Sequence, residues 1–270
     1  MLIQRVITAL LLLPLLIAAV WFAPTSWLYV VLGMAACAAA WEWSALMGQA
    51  GAARNVYVVV TAALLALTWL LRNWWPWFMA ISALWWIFAT RLVLGFPESL
   101  DNKLPAQRWM AILGQVLFLP TILAAAELHA MSDGALRLLF VFGLVFAADT
   151  GAYLAGRNFG KRKLAPKVSP GKTLEGAIGG LLLCGAWTLT AGTFAFRPES
   201  AGEVIELLVL SQIVAVFSIV GDLTESMFKR LAGIKDSGNL LPGHGGALDR
   251  VDSLLAALPL MALGVHLTGL

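Results

Sequence analysis

Along the chain, long apolar runs alternate with short polar interruptions, and the runs approach the length of a membrane span. They are Val6–Ala23, Trp27–Met47, Val56–Leu71, Trp74–Phe96, Trp109–Leu128, Leu136–Gly156, Leu174–Phe196, Val204–Gly221 and Ser253–Leu270. A helix crossing the hydrocarbon core needs about 20 apolar residues. The pattern therefore predicts an all-α polytopic membrane bundle of about nine transmembrane helices. The first run follows Arg5 and carries Trp21-Phe22 where a cleaved leader would have small residues, so it is read as an uncleaved first helix. The chain divides into an N-terminal region, 1–135, with about five spans, and a C-terminal region, 136–270, whose loops 157–173 and 222–252 hold the polar chemistry. No repeat, low-complexity tract or soluble domain interrupts this pattern.

Composition agrees. Of 270 residues, 60% are hydrophobic and 12% charged, against about 25% charged in an ordinary soluble domain, and the mean hydropathy is +0.85. Water-soluble and disordered folds are excluded. Cys37 and Cys184 both lie in apolar runs, which leaves no disulfide framework and no CxxC metal pattern. The net charge of +3 is small, but its placement is lopsided. Counted on alternate sides of the spans, 15 Lys and Arg fall on one side, and only Arg72, Arg137 and Arg197 on the other. By the positive-inside rule the first side is cytoplasmic, with the N-terminus inside and the C-terminus outside.

Acidic residues cluster toward that same side. Asp149 lies within the sixth run, Glu175 opens the seventh, Asp222 closes the eighth, and Asp249 and Asp252 precede the ninth. A carboxylate inside a span is unfavourable by at least about 2.5–3.5 kcal/mol on insertion scales, so it marks a partner or a function. A single such residue is explained equally well by an interhelical ion pair. Several at one depth, beside the most basic loops, point to a site. Asp249 and Asp252 are three apart and share a helix face. Hard oxygen donors of this kind suit Mg²⁺, which takes one or two carboxylates and leaves positions for substrate phosphates. Zinc is disfavoured, because only His244 of the three histidines is near the acids.

The loop Arg157–Thr173 supplies positive charge. Lys161, Arg162 and Lys163 alone fit ordinary attraction to anionic headgroups. Ser169-Pro170 reads as a helix N-cap followed by the first helical residue, so the seventh helix is expected to start there and offer free N–H groups to an anion. Gly171-Lys172-Thr173 resembles the end of a P-loop, but Pro166 stands where that pattern needs Gly and no strand is expected before it.

The stretch Ser226–Asp252 mixes glycines, basic residues and paired acids between two spans. Here the sequence resembles the phosphatidate cytidylyltransferases, or CDP-diacylglycerol synthases. It matches their signature at Ser226, Phe228, Lys229, Arg230, Lys235, Asp236, Gly238, Leu241, Pro242, His244, Gly245, Gly246, Asp249, Arg250, Val251 and Asp252, departing at Ala247, where a larger aliphatic is usual. Asp149-Thr150-Gly151-Ala152-Tyr153, the segment from Ser169 to Gly176, and Gly221 to Ser226 resemble the family's other motifs. Together the matches cover about the last 125 residues.

The resemblance implies attack of a phosphatidate phosphate on the α-phosphorus of CTP, giving CDP-diacylglycerol and pyrophosphate. It also implies Mg²⁺, with a second cation as an option, a homodimer, and a bacterial inner membrane with the active site facing the cytoplasm. Partners are then CTP, phosphatidate and the lipid bilayer, with no nucleic acid. Residues expected to act in catalysis are Asp222, Asp249, Asp252, Lys172 and Arg250. Metal ligands are expected at Asp222, Asp249, Asp252 and Asp149. Substrate binding is expected at Ser169, Lys172, Thr173, Ser226, Lys229, Arg230, Lys235, His244, Gly245 and Gly246. Two alternatives are a CTP-dependent lipid kinase, which would leave CDP, and an ion-coupled transporter, which would more often show repeats and midplane charges.

Overall fold

The computed structural model describes residues 2–238, 240 and 245–270, without the side chains of residues 2–9 and 12. Among these residues the chain is a bundle of long helices with one small hairpin. The helices are α1 (Leu2–Phe22), α2 (Thr25–Leu46), α3 (Gly51–Leu70), α4 (Trp75–Leu94), α5 (Gln107–Ala130) and α6 (Gly134–Phe159). Strands β1 (Lys163–Ala165) and β2 (Ser169–Thr173) follow. Next come α7 (Leu174–Trp187), a π-turn at Thr188–Gly192, α8 (Thr193–Phe196), α9 (Ala201–Leu231), α10 (Leu248–Val251) and α11 (Leu254–Thr268). Eight helical stretches from Thr25 onward are long and apolar enough to cross a membrane, with α7 to α8 and α10 to α11 each counted as one. With α1, they reproduce the predicted order of nine runs.

The packing follows from which side chains are large or small. Helices α5 and α11 run through the interior, and Thr121 Oγ1 of α5 donates to Leu255 O of α11 at 3.3 Å. Aromatic side chains bury their rings and pass their single polar atom to a neighbouring helix. Trp43 Nε1 of α2 donates to Met110 O of α5 at 2.8 Å, and Trp187 Nε1 of α7 donates to Phe140 O of α6 at 3.0 Å. Helices α6 and α7 approach most closely, because small residues line their seam. A Cβ at Gly151 would stand only 2.9 Å from Gly180 Cα.

Two expectations are corrected. The seventh helix starts at Leu174, not at Ser169-Pro170. Ser169–Thr173 is instead a strand, antiparallel to Lys163–Ala165, with Lys163 opposite Thr173 and Ala165 opposite Ser169. Thr173 is the N-cap, its hydroxyl accepting the Gly176 N–H at 3.1 Å. Glu175, in the first turn, accepts the N–H of Lys161 at 3.0 Å and of Arg162 at 3.1 Å, pulling the base of the hairpin onto the helix start. The second correction concerns the loop expected over 222–252. Helix α9 continues past Gly221 to Leu231, so Asp222, Glu225, Ser226 and Lys229 lie on a helix at spacings of three and four and share one face. The last span likewise begins with α10 at Leu248, five residues before the expected Ser253.

The long helices segregate charge. The ends bearing the hairpin, the α4–α5 connection and the α9–α10 connection meet at one pole, where Lys167 Nζ reaches Glu98 Oε1 at 2.9 Å. At the opposite pole, Arg197 Nη2 meets Asp133 Oδ1 at 3.1 Å. There His129 bridges Thr25 Oγ1 (2.9 Å) and Val20 O (2.8 Å).

Candidate active site

The polar pole is assembled on three supports. Helix α6 carries Asp149, exposed in its C-terminal half, roughly three turns before Phe159. Strand β2 carries Lys172, and the face of α9 carries Asp222 and Ser226. Lys172 Nζ lies 2.6 Å from Asp222 Oδ2, both side chains about 28% exposed. Ser226 Oγ donates to Asp222 Oδ1 at 3.3 Å, the contact its four-residue spacing anticipates. Asp149 stands within electrostatic reach of Asp222, Lys172 and Arg250. Asp252 is within reach of Asp222, Lys172 and Lys229, and its Oδ1 accepts the Ser253 N–H at 2.6 Å.

A cleft of about 370 Å³ opens beside this cluster. Asp149, Tyr153, Arg157, Lys172 and Thr173 give it polar groups, while Ala148, Ala152, Leu164, Ala177 and Ile219 give it an apolar lining. The cleft thus joins a charged end to a surface suited to hydrocarbon. Arg157 Nη1 donates to Tyr153 Oη at 3.2 Å. Arg230 Nε donates to Val168 O at 3.2 Å, tying α9 to the hairpin turn.

A second, more buried charge group lies behind the first. Lys229 sits between Glu225, four residues earlier on α9, and Asp249 Oδ1, 2.6 Å away. The Asp249 Oδ2 atom also accepts the N–H of Ser237 at 3.0 Å and of Gly246 at 2.9 Å. The paired acids Asp249 and Asp252 therefore have different surroundings. Asp249 is saturated by a cation and loop amides, whereas Asp252 makes no such ion pair among the described residues and lies within electrostatic reach of both charge groups. Lys229 directs its ammonium at protein carboxylates.

Of the other expected residues, Ser169 is half-buried on β2, Lys235 and Arg250 are exposed, and Gly245 adopts φ +84°, a backbone that favours glycine. Ser169 does not cap a helix. His244, with Leu241 and Pro242 of the same motif, lies outside the described residues.

Two acids join the site that the sequence-based selection of site residues omits. Glu225 belongs to the quoted motif but appears as a partner of Lys229. Glu42, on α2, comes from the first half of the chain. It is 2% exposed, and its Oε2 accepts the Ser237 hydroxyl at 3.0 Å and the Leu248 N–H at 2.8 Å. The available signal was a lone carboxylate between Trp41 and Trp43 in an apolar run, the kind of residue that needs a partner inside a membrane.

The sequence profile of the cytidylyltransferase family matches residues 3–268 of this chain. The chain belongs to that family. A phosphatidate cytidylyltransferase of Pseudomonas aeruginosa is 42% identical over 266 residues, covering 97% of this chain and 96% of that relative. One from Haemophilus influenzae is 38% identical over 283 residues, covering 96% of each. A Staphylococcus haemolyticus relative of the same name is 47% identical over 130 residues, covering 48% of this chain and 49% of its own length. Membership extends the resemblance from the C-terminal motifs to both halves, and it includes the helix that bears Glu42. Neither the lipid kinase nor the transporter is favoured by these relatives.

Proposed function

We propose that this member of the family transfers the cytidylyl group of CTP to phosphatidate, giving CDP-diacylglycerol and pyrophosphate, at the pole where α6, the hairpin, α9 and α10 meet. The observation that carries this placement is the Lys172–Asp222 pair beside Asp149 and Asp252, at the mouth of a cleft with both polar and apolar walls. A lipid phosphate needs that combination, since its head must meet a charged nucleotide while its chains stay in hydrocarbon.

The chemistry brings two anions together. A phosphatidate oxygen attacks the α-phosphorus, the bond to the bridging oxygen breaks, and the electron pair leaves with pyrophosphate. The attacking phosphate already ionises near neutrality, so positioning and charge neutralisation dominate. Lys172, held by Asp222 at the cleft, meets a phosphate oxygen. Arg250 and Arg230, both exposed at this pole, steady the triphosphate, with Ser226, Thr173 and the loop amide of Gly245 as hydrogen-bond donors.

Among the described residues no group of three or more His, Cys, Asp or Glu stands ready to enclose a metal. Mg²⁺ nevertheless fits the donor set, because it is usually held by one or two carboxylates together with substrate phosphates. Asp222 and Asp252 would hold it, with Asp149 in reach. Asp249 would join only by exchanging one of its present partners. Bound there, the ion would neutralise phosphate charge and polarise the reacting phosphorus.

The charge segregation supports a cytoplasmic active site, with a bacterial inner membrane as the setting, and a homodimer remains part of the same reading. The test is pyrophosphate release by purified protein in detergent with Mg²⁺. Release that requires both CTP and phosphatidate, in proportion to lipid product, is expected. Release of CDP instead would overturn the reading.

A further inference from the structure

We infer that Glu42 is a positioning residue for the reaction, a staple through which the N-terminal half of the chain sets the geometry of the loop between α9 and α10. The inference rests on the reading above, that the reaction occurs at the Asp222–Asp252 cluster. Its basis is that Glu42 Oε2 holds both ends of one loop. On the entering side it accepts the Ser237 hydroxyl at 3.0 Å, and on the leaving side the Leu248 N–H at 2.8 Å. Leu248 opens α10, whose next residue is Asp249 and which leads directly into Asp252.

The backbone is shaped to admit this carboxylate. A Cβ at Gly238 or at Gly246 would collide with the Glu42 side chain, so both loop ends close over it as glycines. Asp249 grips the same two ends from the other direction, through the N–H groups of Ser237 and Gly246. Two carboxylates, one from α2 and one from α10, thus each bridge the two ends of the loop. Glu42 reaches across 195 residues to Ser237 and 206 to Leu248, so it couples the two halves of the chain. Its Oε1 is buried and has no hydrogen-bond partner among the described residues, so both bonds depend on the single oxygen Oε2.

That dependence makes the inference testable with a conservative variant. In Glu42→Gln the amide oxygen can take the place of Oε2 and accept both bonds, whereas Glu42→Ala accepts neither. Purified protein in detergent, with phosphatidate, CTP and Mg²⁺, should lose at least about tenfold in kcat on Glu42→Ala and stay within about threefold on Glu42→Gln. Hydrogen–deuterium exchange of the amides from Gly246 to Leu248, measured without substrate, should accelerate in Glu42→Ala and stay protected in Glu42→Gln. Ser237→Ala should lower kcat alone, but add less than its own effect to Glu42→Ala, because the two changes remove the same contact.

Equal losses in Gln and Ala would overturn the inference, since the charge rather than the staple would then matter. Unchanged exchange in Glu42→Ala would overturn it too. Asp252→Asn serves as the reference. If it is fully active, the site reading fails. If it is inactive while Glu42→Ala is fully active, only the staple fails.

Discussion

Lys172 Nζ lies 2.6 Å from Asp222 Oδ2, so the hairpin and the far end of α9 are joined by one ion pair at the mouth of the cleft. The same lysine is within electrostatic reach of Asp149 and Asp252, so three carboxylates of the site act on it. Lys161, Arg162 and Lys163 are exposed, and Arg162 is engaged with Glu175 at 3.0 Å.

Lys172→Ala should therefore lower kcat/KM severely. A hydrogen bond to a charged group contributes about 1.5–3 kcal/mol, or roughly a 10- to 150-fold loss. Lys161→Ala or Lys163→Ala should cost only a few-fold, and salt should shrink that difference because exposed charges are screened. Equal losses at all three positions would show that the hairpin acts as a diffuse basic surface.

The two paired acids should separate on stability. Asp249 anchors buried Lys229 and two loop amides, and breaking a buried ion pair typically costs about 3–5 kcal/mol. Asp249→Asn should lose turnover and also lower the melting temperature in detergent. Asp252→Asn should lose at least about 100-fold in turnover, beyond the effect usual for groups that merely support a metal ligand, while melting near wild type. A matching stability loss in both would remove the distinction drawn here.

Glu175 and Glu98 both bind the hairpin, with unequal consequences. Glu175 holds the Lys161 and Arg162 amides and the Arg162 side chain, which sets the strand that carries Lys172. Glu98 meets Lys167 between two exposed side chains, and its carboxyl is held below the usual carboxylate range by that hydrogen bond. Exposed pairs contribute little. Glu175→Ala should reduce kcat several-fold or more, and Glu98→Gln should stay within about twofold. On acidification Glu98 protonates only below its ordinary range, so this contact should be indifferent to pH near neutrality. A larger effect at Glu98 would contradict the assignment.

The charge segregation predicts which pole faces the cytoplasm. In a background with Cys37 and Cys184 replaced by Ala, a cysteine at Lys235 should react with an impermeant thiol reagent in inside-out vesicles and not in right-side-out ones. Labelling in intact, right-side-out vesicles would place the site on the wrong side for cytoplasmic CTP.

What was legible in the sequence depended on how local its cause was. Span order follows from run length, which is why the order of nine runs reappears as helices. The spacing of Asp222, Ser226 and Lys229 was equally available, but polarity at Asp222 marks the end of a span without marking the end of a helix, and α9 continues through it. Ser169-Pro170 carries a genuine capping signal. It loses to the pairing of Ser169–Thr173 with Lys163–Ala165 and to Thr173, a second good N-cap four residues on. The role of Glu42, unlike its presence in an apolar run, was out of reach for a different reason. Its partners, Ser237 and Leu248, are about two hundred residues away, and only folding brings α2 beneath that loop.

The central claim is a transfer of the cytidylyl group, and the position of an isotope tests it most directly. Purified protein with Mg²⁺ and phosphatidate is given CTP labelled either at the α- or at the γ-phosphate. The label from the α-position should appear in the organic-soluble lipid and the label from the γ-position in pyrophosphate. Label from the γ-position in the lipid, with CDP released, would contradict the account.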